Sequence, residues 1–68
     1  MPNGVRYRIS STRQYIVVVY IGGMAKWRAE YRTDVHTRAV ARWREESRRG
    51  TQCAVIDREA VGGPAVIR

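Results

Sequence analysis

The sequence predicts a small α+β domain in which a three- to four-stranded, mainly antiparallel sheet packs on one amphipathic helix. Short segments rich in Val, Ile and Tyr, the residues that favour strands, flank a single stretch with helical periodicity. Between two of these segments, Gly22-Gly23 is the kind of two-residue loop that joins antiparallel strands. The expected order is β-β-β-α-β, or β-β-α-β if the first segment is not a strand. At 68 residues, the chain is expected to form one domain.

Three segments before the helix have strand patterns. Residues 5–9 alternate apolar residues with Arg, which is the period of a half-buried strand. Residues 14–21 are the densest in Val, Ile and Tyr. Residues 24–32 follow the two glycines and are predicted to form the next strand, antiparallel to the one before. A two-residue loop would pair Ile21 with Met24.

This register predicts two different faces for the hairpin. Val18 would lie opposite Trp27 and Ile16 opposite Ala29, because paired residues share a face. The expected seat of the helix is the almost wholly apolar face, formed by Ile16, Val18, Tyr20, Ala25, Trp27, Ala29 and Tyr31. The opposite face would carry Tyr15, Val17, Val19 and Ile21 beside Met24, Lys26, Arg28, Glu30 and Arg32.

A helix is predicted over residues 35–49. Thr33 or Asp34 is suited to the N-cap, and Gly50 to the left-handed position that ends a helix. The residues expected to face the sheet are Val35, Ala39, Val40 and Trp43.

Two segments follow the predicted helix. Residues 52–57 contain four consecutive apolar residues, which predicts a strand that is central or buried on both faces. The Gly and Pro residues at 62–64 interrupt the chain before an apolar segment. Residues 62–68 are therefore expected to form either a final edge strand or a flexible tail.

The chain is strongly basic. Its net charge is +7, and twelve of its 13 basic residues are Arg, whose planar fork suits phosphates and carboxylates. Nucleic acid, an acidic protein or an anionic membrane surface would complement this charge. The longest apolar run has seven residues, far short of a membrane span of roughly 20, so no membrane partner is expected.

Two basic surfaces are candidate binding sites. On the sheet, Tyr15 beside Lys26, Arg28 and Arg32 resembles a surface that stacks bases and neutralises phosphates. Alternatively, its aliphatic row of Val17, Val19 and Ile21 is covered by the first strand or by a second copy of the chain, as a homodimer interface. The helix carries Arg38, Arg42, Arg44, Arg48 and Arg49.

The helix arginines also have two interpretations. They can form a stripe that follows a phosphate backbone, or a solvated face with ion pairs such as Arg42 with Glu46 and Arg49 with Glu45. The arginines outnumber the acids on this segment, which keeps the binding interpretation open.

The residues that support catalysis or metal binding are few. Cys53 is the only cysteine and His36 the only histidine, so an intramolecular disulfide or a multi-cysteine zinc site is excluded. Catalysis needs convergent acids, bases or nucleophiles, and the six acids are scattered. We therefore expect no enzymatic activity, no cofactor and no metal. A signal peptide is also not evident, which favours a cytoplasmic location.

The segment Lys26-Trp27-Arg28-Ala29-Glu30-Tyr31-Arg32-Thr33, followed by a helix with Ala39 and Trp43, resembles the small DNA-binding domains of phage-type integrases and APETALA-type transcription factors. The resemblance implies a three-stranded sheet that enters the major groove, with contacts from Lys26, Arg28 and Arg32. Small size and high Arg content also resemble phage accessory proteins, including anti-CRISPR inhibitors of host defence.

The expected function is that of a basic nucleic-acid-binding accessory protein of bacterial or phage origin, with DNA favoured over RNA. Arg28, Arg32, Arg38 and Arg42 would hold phosphates. The alternative is a protein-interaction module or inhibitor that binds an acidic host protein through the same arginines.

Overall fold

The computed structural model describes residues 12–68, and all structural statements below refer to this part of the chain. Its helix is α1 (His36–Arg48), and its strands are β1 (Tyr15–Ile21), β2 (Lys26–Thr33), β3 (Cys53–Asp57) and β4 (Ala65–Val66). The strands form one antiparallel sheet in the order β2-β1-β3-β4. The predicted small α+β fold is confirmed. The strand predicted over residues 5–9 lies outside the described residues.

The two strands after the helix follow the sequence pattern. β3 lies between β1 and β4, and its residues Ala54, Val55 and Ile56 are all buried, so both of its faces are covered. β4 pairs with β3, and the Ile67 amide continues the pairing by donating to the Val55 carbonyl at 2.9 Å. Of the two alternatives for residues 62–68, the edge strand is the one that forms.

The hairpin between β1 and β2 differs from the predicted register. Residues 22–24 form a 3-10 turn, and Ala25 then adopts the left-handed conformation with φ 50° and ψ 42°. The connection therefore has four residues, and Ile21 pairs with Lys26 instead of Met24. Val18 accordingly lies opposite Ala29, not Trp27. The two-residue loop was wrong because neither Gly22 nor Gly23 takes the positive φ that such a turn requires.

A β-bulge at Glu30 changes which residues share a face of the sheet. The register shifts between Val17 and Val18, so that Tyr31 pairs with Val17 and Arg32 with Ile16. Because side chains alternate along a strand, one extra residue exchanges the faces of everything beyond it. Tyr31 and Arg32 consequently lie on the faces opposite to those predicted.

The helix packs on the face of the sheet opposite the one predicted to seat it. Val17, Val55 and Ala39 of α1 form one buried cluster. Tyr15, Tyr31 and Trp43 pack around it. The bulge explains part of the error, because it puts Tyr31 on this face and removes Arg32 from it. Because both hairpin faces carry apolar residues of β1, hydrophobicity alone does not decide the seat of the helix, which also depends on the hand of the connection from β2 to β3.

The opposite face of the sheet is also buried. Its core consists of Ile16, Val18, Ala54 and Ile56, with exposed fractions of 0 to 4%. Trp27, Ala29 and Val66 pack at its margin. This face was predicted to seat the helix, but the hydrophobic residues of α1 pack in the cluster on the other face.

The two ends of α1 differ in how well they match the prediction. Neither Thr33 nor Asp34 is the N-cap: that position is taken by Val35, which has no side-chain cap and is 44% exposed. The C-terminus is as predicted. Gly50 adopts φ 79°, its amide donates to the Ser47 carbonyl, and the Thr51 amide donates to the Glu46 carbonyl, which together form a Schellman motif.

Candidate nucleic-acid interface

The apolar part of the predicted sheet site is internal. Val17 is fully buried against the helix and Val19 is 5% exposed. Tyr15 is half-buried and its ring contacts His36 edge-on, with centroids 5.3 Å apart. Ile21, which is half-buried, lies near the end of the hairpin. Val17 packs against Ala39 of α1, and Val19 is buried within the same chain, so neither is available for the predicted contact with a second copy of the chain.

The basic residues of β2 do not form one surface. Arg28 pairs with Val19 and Lys26 with Ile21, which places both on the helix-bearing face. Arg32 pairs with Ile16 and lies on the other face because of the bulge. The predicted row of Lys26, Arg28 and Arg32 is thus divided between two sides of the sheet.

The Glu30 carboxylate on β2 contacts two arginines, one on the same strand and one on α1. Its carboxylate accepts a hydrogen bond from Arg28 at 2.9 Å and lies 3.6 Å from a guanidinium nitrogen of Arg42. The Arg42 guanidinium also lies over the Tyr31 ring, 5.4 Å from its centroid. Arg42 is therefore an internal bridge between strand and helix, and the predicted pair of Arg42 with Glu46 does not form.

The exposed side of α1 carries a narrow stripe of four residues. At 3.6 residues per turn, positions 37, 41, 44 and 48 lie along one line that faces away from the buried Ala39. All four are exposed. We call them the outer stripe: Thr37, Ala41, Arg44 and Arg48. Its N-terminal half has small side chains and its C-terminal half has two arginines.

The ion pairs leave the outer arginines without acidic partners. Within residues 12–68, the acids pair with Arg13, Arg28, Arg42 and Arg49, the last through Glu46 at 3.1 Å and not through the predicted Glu45. In the same part of the chain, no ion pair involves Arg38, Arg44 or Arg48. Their guanidinium groups are therefore available to an external anion.

The flanks of the outer stripe differ in charge. Arg38 lies on the side toward β2, as do Glu45 and Arg49 by helical spacing. On the other side, a shallow cleft of about 260 Å³ separates the helix from the last residue of the chain. The residues that line it are His36, Thr37, Val40, Ala41, Arg44 and Arg68. The cleft adds a further basic group, Arg68, whose guanidinium lies 5.8 Å from the centroid of the Trp43 ring.

The described aromatic rings are occupied by internal contacts. Tyr20 packs on Trp27 with centroids 5.4 Å apart, and Tyr31 and Trp43 lie beneath arginines. No Tyr or Trp side chain in residues 12–68 is exposed. The stacking platform predicted around Tyr15 is therefore absent from this part of the chain.

His36 and Cys53 lie at opposite ends of the helix. His36 contacts Tyr15 at the first turn, whereas the Cys53 sulfur lies 3.3 Å from the Ser47 hydroxyl and 3.6 Å from the Trp43 carbonyl near the last turn. They are separated by roughly 16 Å along the axis, at 1.5 Å per residue between positions 36 and 47. No group of three or more metal-ligating side chains occurs in residues 12–68.

Helical spacing alone would have identified Thr37 and Ala41 as the neighbours of Arg44 and Arg48 on the outer surface, and the sequence prediction missed both. Arg68 was also missed, and no local pattern indicates it, because its position depends on how β4 pairs with β3. Of the predicted helix residues, Arg38, Arg44 and Arg48 are the unpaired ones.

Comparison with protein-family models, with curated proteins and with solved structures finds no match for this chain. Within residues 12–68, no helix has both the length and the apolar character needed to cross a membrane.

Proposed function

We propose that this protein binds nucleic acid, and that the outer surface of α1 makes the contacts. The observation that carries the proposal is the set of exposed helix arginines, Arg38, Arg44 and Arg48, that have no ion pair in the described chain. A nucleic-acid backbone presents a regular row of phosphates, and Arg binds phosphate through two parallel hydrogen bonds. The net charge of +7 attracts such a partner over a longer range.

Helix arginines replace the sheet arginines in this proposal. Arg28 is held by Glu30, and Arg42 is held by Glu30 and the Tyr31 ring. A phosphate that bound either of them would have to compete with an internal carboxylate. Arg38, Arg44 and Arg48 have no internal carboxylate to give up, so their contacts with phosphate contribute more net free energy to binding.

The test is a titration of labelled DNA and RNA by fluorescence anisotropy at two salt concentrations. We expect binding at about 50 mM salt that weakens steeply by about 200 mM, since counterions are released when arginines neutralise phosphates. Absence of binding to every nucleic acid at the lower concentration would overturn the proposal. That result, together with binding to an acidic protein, would favour the protein-interaction alternative.

A pair of double variants distinguishes binding at a specific site from binding through the net charge of the protein. R44Q/R48Q removes two charges from the outer stripe, and K26Q/R58Q removes two charges from the hairpin and from the turn after β3. We expect the first to reduce the salt slope by about two and the second to leave it nearly unchanged, because each phosphate contact contributes about one unit. Equal losses in the two variants would contradict a helix-centred site.

A further inference from the structure

We infer that α1 binds in the major groove of double-stranded DNA, with the outer stripe facing the bases. The inference rests on the proposed nucleic-acid binding and names the form of nucleic acid that fits. It is carried by the order of side chains along the stripe, in which small Thr37 and Ala41 precede Arg44 and Arg48 on one exposed line.

The dimensions of the helix match those of the groove. α1 has 13 residues, which corresponds to a length of about 20 Å at 1.5 Å per residue. A helix with side chains is about 10 to 12 Å wide, and the major groove of B-form DNA is about 12 Å wide. The helix lies on the outside of the sheet, with its buried side toward Val17 and Val55. Its outer stripe can therefore enter a groove without disturbing the core.

The small side chains allow close approach. Thr37 and Ala41 are exposed and lie one turn apart, so the N-terminal half of the outer stripe presents little bulk. A methyl or hydroxyl group at these positions can contact a thymine methyl or a base edge directly. Larger residues at the same places would hold the backbone away from the bases.

The arginines lie where base and backbone contacts are both possible. Arg44 and Arg48 follow on the same stripe, and Arg makes its commonest specific contact with guanine through the O6 and N7 atoms in the major groove. Arg38 lies on the flank toward β2, beside the stripe, where a phosphate strand bordering the groove would pass. One face thus combines potential readout of bases with attachment to the backbone.

Other forms of nucleic acid fit this surface less well. The major groove of an RNA duplex is deep and narrow, and side chains do not read it. Single strands are bound mainly by stacking on exposed aromatic rings, and no Tyr or Trp side chain in residues 12–68 is exposed. Duplex DNA is therefore the ligand that the described surface favours.

The experiment measures the affinity for three ligands of matched sequence: a DNA duplex and an RNA duplex of about 20 base pairs, which is two helical turns, and a single strand of the DNA. A third duplex, of DNA, carries glucosylated 5-hydroxymethylcytosine, which fills the major groove. We expect that duplex to bind about tenfold more weakly than plain DNA, the cost of one or two base contacts. Netropsin, which occupies the minor groove, should leave the affinity almost unchanged.

The variant A41F tests close approach without changing charge. It should lower the affinity for duplex DNA by about tenfold, a loss equivalent to one good base contact, while M24F at the exposed hairpin tip should not. Circular dichroism of both variants checks that the fold is retained. The groove inference is wrong if the DNA with the filled groove binds as tightly as plain DNA, or if A41F binds DNA as tightly as the unchanged protein. It is also wrong if the RNA duplex binds as tightly as the DNA duplex. Failure to bind any nucleic acid refutes the proposed function itself.

Discussion

The Asp34 carboxylate accepts a hydrogen bond from the backbone amide of Gln14 at 2.8 Å and thereby ties the segment before α1 to the start of β1. Asp34 also pairs with Arg13 at 2.7 Å. The Asp34 side chain therefore binds residues that precede β1 and does not cap the helix that follows it. The Asp34 carboxylate is not available to cap α1, whose N-cap position is taken by Val35 without a side-chain hydrogen bond.

These contacts predict an abnormal titration of Asp34. The hydrogen bond from Arg13, followed by that from the Gln14 amide, lowers the pKa of Asp34 below its ordinary value. Because the folded state has the lower pKa, Asp34 stabilises the fold above the pKa of the unfolded chain. This contribution disappears as the pH falls through the folded-state pKa. NMR titration of the carboxyl carbon should show the depression, and R13Q should move the pKa back toward normal. An unchanged pKa in R13Q would contradict the assignment.

Ala25 is expected to limit the stability of the hairpin. It is the only non-glycine residue with positive φ in residues 12–68, and left-handed backbone costs an L-residue about 1 kcal/mol. A25G should therefore raise the free energy of unfolding by about 0.5 to 1 kcal/mol, measured by denaturant titration. The same change in the helix, A41G, should lower it by about 1 kcal/mol. Destabilisation by A25G would show that the turn is not strained.

Gly50 should be difficult to replace although it has space around it. A Cβ atom there would meet nothing within 4 Å, so the cost of G50A comes from φ 79° alone. We expect a loss of about 1 kcal/mol in unfolding free energy. G23A is the matched control, because its Cβ is equally free and its φ is not positive. Similar effects in the two variants would rule out the backbone explanation.

Glu30 should contribute to the attachment of the helix to the sheet. E30Q removes the ion pair with Arg28 and the longer one with Arg42, whose guanidinium would retain only the Tyr31 ring. Since the Glu30 side chain is 27% exposed, we expect a loss of about 0.5 to 1.5 kcal/mol in unfolding free energy. R28Q should cost less, because Arg28 is 60% exposed. Thermal unfolding of the two variants tests this order, which would fail if R28Q were the more damaging change.

Glu45 should weaken binding by the helix. It is exposed on the flank of the outer stripe and its charge opposes an approaching phosphate. E45Q should increase the affinity for duplex DNA by about two- to fivefold at low salt, and less once the salt shortens the screening length below about 10 Å. E59Q, in the turn after β3, removes the same charge and should have a smaller effect. Equal gains would mean that net charge alone governs the affinity.

Local patterns predicted the elements of this fold well. The Val- and Ile-rich segments gave β1 and β3, and Gly50 marked the end of α1, because these features depend on nearby residues. The bulge at Glu30 was missed because residues 26–32 alternate without interruption in the sequence. That single insertion moved Arg32 off the helix-bearing face.

The exposure of some residues of the predicted binding site could be foreseen for the same reason. Exposure of Arg38, Arg44 and Arg48 follows from helical spacing, which is local. The partner of Arg42 depends on the pairing of distant segments, and Glu30 could not be recognised as that partner without the sheet register. Which of the arginines had acidic partners was therefore the least predictable feature.

The outer stripe separates the residues proposed to bind from those that maintain the fold. Thr37, Ala41, Arg44 and Arg48 are exposed, while the buried clusters draw on Ala39 and the strands. Exposed substitutions of this kind usually change stability by no more than about 0.5 kcal/mol. New sequence preferences could consequently evolve, or be selected in a library at these four positions, on an unchanged scaffold.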